Sequence, residues 1–214
     1  MSTWLFDLGN TRLKFAELLS DGSLGETRAV AHDDSDAWLA DMPHGDTACI
    51  ASVTSDERRV ALLDALCTRF RRVHRVRTQS RFSGLRIAYE NPRHLGVDRF
   101  LALLSALDAG DVLLVGVGTA LTIDWLDADG LHHGGRIAPS PMLMREALHA
   151  RAAVLPESGG SYAEFADDTD HALASGCEGA ALALIERSLE HASGMLGATP
   201  ALWLHGGGAQ VLRD

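Results

Sequence analysis

The chain has 214 residues, 46% of them apolar, and a formal charge of −10. That is enough for one large domain or two small ones with a proper core. It excludes a membrane-spanning helix, since no run reaches about 18 apolar residues, and it excludes nucleic-acid binding through the overall field, although a small anion can still be held where basic groups gather.

The amino terminus, Met1-Ser2-Thr3, is expected to lead straight into a strand without a secretory leader. Residues 4–8, 12–19 and about 25–31 predict an opening antiparallel meander. Ser35 to Ala40 predicts a short helix, and Thr47 to Ala51 a buried strand. Ser55 is a plausible N-cap for a helix running to about Phe70, with Val60, Leu63, Leu66 and Cys67 on its apolar face. Val73 to Val76 predicts a strand, and Arg81 to Gly96, which includes Asn91-Pro92, mostly loop. A helix is expected over Arg99 to Leu107, with Phe100, Leu103, Leu104 and Leu107 as its stripe. Strands follow at 112–116, 120–127 and about 131–138, the last two joined by the turn Asp127-Ala128-Asp129-Gly130. Pro141 to Ala153 is helical, Leu155 to Asp168 irregular, and Asp170 to Leu196 one long helix or two broken at Gly176–Gly179. Ala201 to His205 is a strand, and Gly206-Gly207-Gly208 a glycine turn.

Two segments stand out. Asp7-Leu8-Gly9-Asn10-Thr11 follows the apolar run Trp4-Leu5-Phe6, and Gly116-Val117-Gly118-Thr119-Ala120 follows Val112 to Val115. Each reads as a β-hairpin with a glycine-bearing tight turn. Small residues let backbone approach an anion, and N–H groups with threonine hydroxyls donate to it, so a nucleotide phosphate tail would account for both. The order of elements restarts near Val112. This predicts an α/β protein of two related lobes, residues 1–110 and 111–214, with a cleft between them. Three scattered cysteines (Cys49, Cys67, Cys177) without Cys-x-x-Cys spacing point to a reducing, cytoplasmic compartment and to no zinc site.

Four elements together resemble the type III pantothenate kinase family. They are Asp7 to Thr11; Asn91-Pro92 with Leu95-Gly96-Val97-Asp98-Arg99; Gly118-Thr119-Ala120-Leu121-Thr122-Ile123-Asp124; and Gly134-Gly135-Arg136-Ile137-Ala138-Pro139. Their order and spacing fit from about residue 4 to 210. The resemblance implies the duplicated fold of acetate and sugar kinases, heat-shock ATPases and actin (ribonuclease H-like), usually as a homodimer. It also implies ATP-dependent phosphorylation of pantothenate, the first step of coenzyme A synthesis.

Phosphoryl transfer needs an in-line hydroxyl, an orienting carboxylate and positive charge on the developing oxyanions. The resemblance assigns the proton acceptor to Asp98, whose alternative is an N-cap of the following helix. It places Gly96, Val97, Asp98 and Arg99 on pantothenate. Arg99 suits bidentate recognition of a carboxylate, and its alternative is a solvated ion pair. Tyr89 is implied as a further substrate contact, otherwise a half-buried aromatic. Thr169 is another, otherwise an N-cap. For ATP the resemblance carries over onto Asp7, Leu8, Gly9, Asn10, Thr11, Arg12, Leu13, Lys14 and Thr119. Asp7 would approach Mg²⁺ through water, and no residue is assigned as a direct metal ligand.

The family's second phosphate turn begins with an Asp that holds a monovalent cation (K⁺ or NH₄⁺). Here that position is Gly116. Ser140 stands where the family has Gly, Gly208 where an Asp is common, and the chain stops at Asp214 where a further helix is usual. These departures motivate a second reading, a catalytically impaired member acting as a regulatory or interaction protein. A third is a kinase of the same superfamily for a sugar or small acid, against which Asn91-Pro92 and Gly96 to Arg99 argue. His132-His133 on a predicted strand point to opposite faces and read as a solvated hairpin. The basic run Arg69, Arg71, Arg72, Arg75 and Arg77 reads as a solvated helix end and edge strand.

Overall fold

The structure is a computed structural model that describes residues 1–31, 39–40 and 42–213. The short helix expected from Ser35 falls mostly outside the described residues. The chain divides into two units, Met1–Gln79 with Asn91–Leu101, and Ser80–Glu90 with Ala102–Asp214.

In the first unit, β1 (Thr3–Leu8) and β2 (Arg12–Leu18) form the expected hairpin, and β3 (Arg28–Ala31) completes the antiparallel meander. Alternation sets its faces: Phe6, Leu8, Leu13 and Phe15 are buried, while Asp7, Arg12 and Lys14 between them are exposed. β4 (Gly45–Ser52) pairs parallel with β1, and β5 (Phe70–Arg75) parallel with β4, giving the order β3-β2-β1-β4-β5. Phe6 stacks on Phe15 at 5.7 Å and meets Phe70 edge-on, also at 5.7 Å. Helix α1 (Asp56–Cys67) covers this layer with Leu62 and Leu66. The expected apolar face of α1 is therefore corrected: Leu62 replaces Val60, which is 53% exposed, and Cys67 at the end of the helix is exposed too. The basic run lies on and beside the edge strand β5, where Arg71, Arg72 and Arg75 are exposed, a placement that discourages strand addition.

Between Arg81 and Gly96 the chain is more ordered than a loop. β6 (Arg81–Phe82) and β7 (Leu85–Arg86) make a tight hairpin. Its central residues, Ser83 and Gly84, have φ of 49° and 97°, as a two-residue turn with right-handed twist requires. Asn91 caps a 3₁₀ turn at Pro92–His94 by accepting from the Arg93 N–H at 3.1 Å. Helix α2 (Val97–Ser105) then starts two residues earlier than expected, so Asp98 lies inside its first turn.

In the second unit β8 (Val112–Val117), β9 (Ala120–Leu126) and β10 (His132–Pro139) form an antiparallel meander, and β11 (Ala201–His205) pairs parallel with β8. The order β10-β9-β8-β11 repeats that of β3-β2-β1-β4, so the duplication read from two hairpins extends to strand connectivity. Helix α3 (Pro141–Arg151) is capped by Ser140, whose hydroxyl oxygen accepts from the Leu143 N–H. Helix α4 (Thr169–Leu196) is continuous through Gly176 and Gly179. Leu173, Ala174, Cys177, Ala181, Ile185, Ser188 and Ala192 form its buried stripe at helical spacing. Ala181, Ile185 and Ala192 pack with Leu113, Val115, Leu121, Ile123 and Trp125 of the sheet. Its N-cap is Asp168, which accepts from the His171 N–H at 2.8 Å. Thr169 is thus the first helical residue and is released from the capping role.

The corrected α1 face can be checked by denaturant unfolding. Leu66→Ala should destabilise the first unit by about 2–5 kcal/mol, whereas Val60→Ala should stay within about 0.5 kcal/mol of the parent.

Candidate active site

In the first unit several segment ends meet where the parallel strands β1 and β4 finish. The hairpin turn closes with the Gly9 N–H donating to the Arg12 carbonyl at 3.1 Å, and the Val53 N–H donates to the Leu8 carbonyl at 3.2 Å. Arg58 of α1 reaches back to the Asn10 carbonyl at 3.1 Å. The Gly96-Val97-Asp98 segment lies beside Val53: a Cβ on Gly96 would stand 3.7 Å from Val53 Cγ1 and would overlap Asp98 Oδ1. Glycine at 96 is what lets the Asp98 carboxylate fold back, and Oδ1 there accepts from the Arg99 N–H at 2.8 Å. The carboxyl ends of parallel strands in an open α/β sheet are where such folds bind ligands.

The Asp7 carboxyl responds to its surroundings here. Desolvation raises the Asp7 carboxyl above its ordinary range. The ammonium of Lys14, its cross-strand partner, pulls it back, and the Asp98 carboxylate raises it further. Asp98, Asn10, Thr11, Arg12 and Lys14 are exposed, whereas Leu8 and Leu13 are in the core and can offer a ligand only backbone. Arg99 is 6% exposed, which removes its reading as a solvated surface arginine. Val97 is also buried. The pair of carboxylates with an opposed lysine suits a hydrated divalent cation arriving with a nucleotide, since Mg²⁺ keeps much of its water and needs only one or two carboxylates. Among the described residues no three His, Cys, Asp or Glu side chains gather as a protein cage.

In the second unit the corresponding turn closes with the Gly118 N–H donating to the Ala120 carbonyl at 2.9 Å, and Thr119 is exposed. The glycine turn after β11 lies against the same place: the Gly208 N–H donates to the Val117 carbonyl at 3.0 Å. Gly116 pairs with Thr122 on one side and His205 on the other. A Cβ at 116 would lie 2.6 Å from Thr122 Oγ1 and 2.9 Å from His205 Cε1. The space from which a carboxylate would project is already taken, and the residues around Gly116 do not fit the monovalent-cation site that the family resemblance implies. Thr169 is exposed at the start of α4.

Tyr89 is half-buried, its ring parallel to that of His132 with centroids 6.0 Å apart. The solvated reading of the pair His132-His133 is corrected for His132, while His133 remains exposed. His132 is fully buried, and its Nε2 is 2.9 Å from Asp124 Oδ1. His133 stacks on Trp125 at 3.9 Å and bonds Asp127 at 2.7 Å. The register of β9 and β10 shifts between His132 and Gly134, a bulge that sequence alone did not reveal.

Solved structures match this fold. A Campylobacter jejuni protein assigned to the Baf family of transcriptional activators has a TM-score of 0.64 at 20% identity, covering 98% of this chain and 85% of its own. A Sinorhizobium meliloti protein assigned as a 2-dehydro-3-deoxygalactonokinase has a TM-score of 0.56 at 14% identity, covering 99% and 89%. At these identities the likeness is one of fold alone. The family model described as type III pantothenate kinase matches residues 4–191. Curated type III pantothenate kinases from Stenotrophomonas maltophilia strain K279a and Xanthomonas campestris pv. campestris strain B100 are 58% and 57% identical, each alignment covering 99% of this chain and 88% of the relative. The chain belongs to the type III pantothenate kinase family.

The raised Asp7 carboxyl gives a stability prediction with a definite sign. A carboxyl whose folded pKa exceeds its unfolded value contributes most below the unfolded value, and that contribution is lost as pH rises through the folded one. At neutral pH the ionised Asp7 therefore opposes folding. Asp7→Asn should raise the thermal midpoint at pH 7, and the gain should vanish in acid, where the carboxyl is protonated in both states.

Proposed function

We propose that this chain transfers the γ-phosphoryl group of ATP to the primary alcohol of pantothenate, the first step of coenzyme A synthesis. One observation carries the reading beyond family membership: Asp7 and Asp98 share one electrostatic environment at the ends of β1 and β4, beside a glycine hairpin turn.

Asp98 holds the acceptor hydroxyl and takes its proton as the oxygen bonds to the γ-phosphorus and the bond to the ADP oxygen breaks. The products are 4′-phosphopantothenate and ADP, with the proton left on the Asp98 carboxylate. The Arg99 N–H bond to Oδ1 keeps that carboxylate in one rotamer. We assign Gly96, Val97 and Arg99 to pantothenate, the arginine as partner of its carboxylate, and Tyr89 and Thr169 as further contacts. We assign residues 7–14 and Thr119 to ATP. Asn10 and Thr11 donate to phosphate from the turn, Lys14 adds a positive charge, and Leu8 and Leu13 contribute main chain. Asp7 would hold Mg²⁺ through water, and the ion would supply charge neutralisation on the phosphates. A cytoplasmic setting and a homodimer belong to this reading on the family likeness alone. The exposed Asp98 and its proximity to Asp7 favour an active enzyme over an impaired family member.

Two kinetic outcomes are expected from a coupled assay with ATP and pantothenate. Asp98→Asn should lower kcat by about 10²–10⁴-fold with an unchanged melting profile; equal turnover by parent and variant would remove Asp98 as the base. Replacing potassium by an inert cation should leave turnover within about twofold, because the place of a carboxylate at 116 is filled; saturation by potassium would contradict this.

A further inference from the structure

The phosphoryl-transfer reading leaves unused one buried titratable pair, Asp124 and His132, 3% and 0% exposed. We propose that this pair is the positioning unit for Tyr89. The proposal rests on the reading above in one respect, that Tyr89 touches pantothenate.

The geometry comes from strand register. Leu126 of β9 faces His132 of β10, and Asp124 lies two residues before Leu126, on the same face of the sheet. Asp124 is therefore diagonal to His132, within reach of a long side chain. The Nε2–H of the imidazole donates to Asp124 Oδ1 at 2.9 Å. An imidazole held at one nitrogen by a buried carboxylate cannot turn about its own axis without breaking that bond. Its other nitrogen, Nδ1, is buried and has no hydrogen-bond partner among the described residues, so no bond from them draws the ring into a second orientation.

The tyrosine is tethered to the same place by its backbone. Asp127 Oδ1 accepts from the Asp129 and Leu131 N–H groups, both at 2.9 Å, and fixes the turn that precedes His132. The Arg86 N–H donates to the Gly130 carbonyl of that turn at 2.8 Å, and Arg86 also bridges Leu131. Three residues later the Tyr89 ring lies parallel to the imidazole, with 9° between the planes. Main chain brings the tyrosine to β10, and the anchored imidazole gives its ring a flat wall of fixed orientation. A polar pair fully withdrawn from water, bonded to one another and backing an aromatic residue, is costly as plain core filling. Apolar residues of similar volume would serve there at least as well.

The chain contains two tyrosines, Tyr89 and Tyr162, so a fluorotyrosine-labelled protein gives two assignable ¹⁹F resonances. Asp124→Ala should shift the Tyr89 resonance and leave that of Tyr162 in place. It should raise the KM for pantothenate about tenfold, with kcat and the KM for ATP within about twofold. In a Tyr89→Ala background the same substitution should add nothing further. Asp124→Asn, which keeps an acceptor, should restore both the resonance and the KM. If Asp124→Ala does not fold, Asp124→Leu with His132→Leu removes both polar partners and leaves no orphan, with the same outcome expected. An unmoved Tyr89 resonance, or an equal KM increase with and without Tyr89, overturns the proposal. A shifted resonance with unchanged KM supports the pair as the anchor of Tyr89 and removes Tyr89 from the substrate contacts instead.

Discussion

The parallel pairing of β1 with β4 is the constraint on which the chemistry of the first unit depends. Its register sets Asp7 beside Ala51 and Leu8 beside Ser52, and one more bond, from the Val53 N–H to the Leu8 carbonyl, ends both strands at one level. The chain must turn away on both sides of that line. One side is the tight Gly9 turn, and the other leads into α1. The Gly96 segment comes down beside Val53, and the Asp98 charge it carries is felt by the Asp7 carboxyl. Withdrawal from water is the main cause that disfavours the ionised Asp7; Lys14 offsets part of it, and the Asp98 charge adds to it.

The second unit repeats the connectivity of the first and changes its chemistry at the matching position. Asp7 stands between Lys14 and Ala51, a large charged side chain with a small neighbour on the parallel strand. Gly116 stands between Thr122 and His205, so the bulk has moved from the central strand to its parallel partner. Backbone shape is conserved by such an exchange, because the volume above the turn stays filled. The groups on offer differ, an imidazole and a hydroxyl standing where the first unit has a carboxylate.

Much of this was legible in the residues. The two glycine hairpins, the alternation of Phe6 and Leu8 with Asp7, and the fully apolar β8 identify strands, turns and the duplication by physical pattern. What stayed hidden depended on partners distant in sequence. Val60, Leu62, Leu63 and Leu66 are spread around α1, so only the sheet beneath decides which of them it buries. Asp168 and Thr169 are both good capping residues, and the choice rests on where the first helical bond closes. His132 read as solvated because it is polar and adjacent to a second histidine. Its burial follows from a β-bulge and from a diagonal carboxylate, neither of which can be seen before the register of β9 and β10 is known. The burial of Arg99 was hidden for the same reason: it is a property of what surrounds the helix, not of the helix itself.

The account stands or falls on phosphoryl transfer to pantothenate by this chain, and ³¹P NMR of the purified protein with ATP, Mg²⁺ and pantothenate in potassium-free buffer tests it most directly. It predicts a phosphomonoester resonance of 4′-phosphopantothenate that grows in step with ADP. ADP with inorganic phosphate and no phosphomonoester, or no conversion while the protein remains folded, would contradict it.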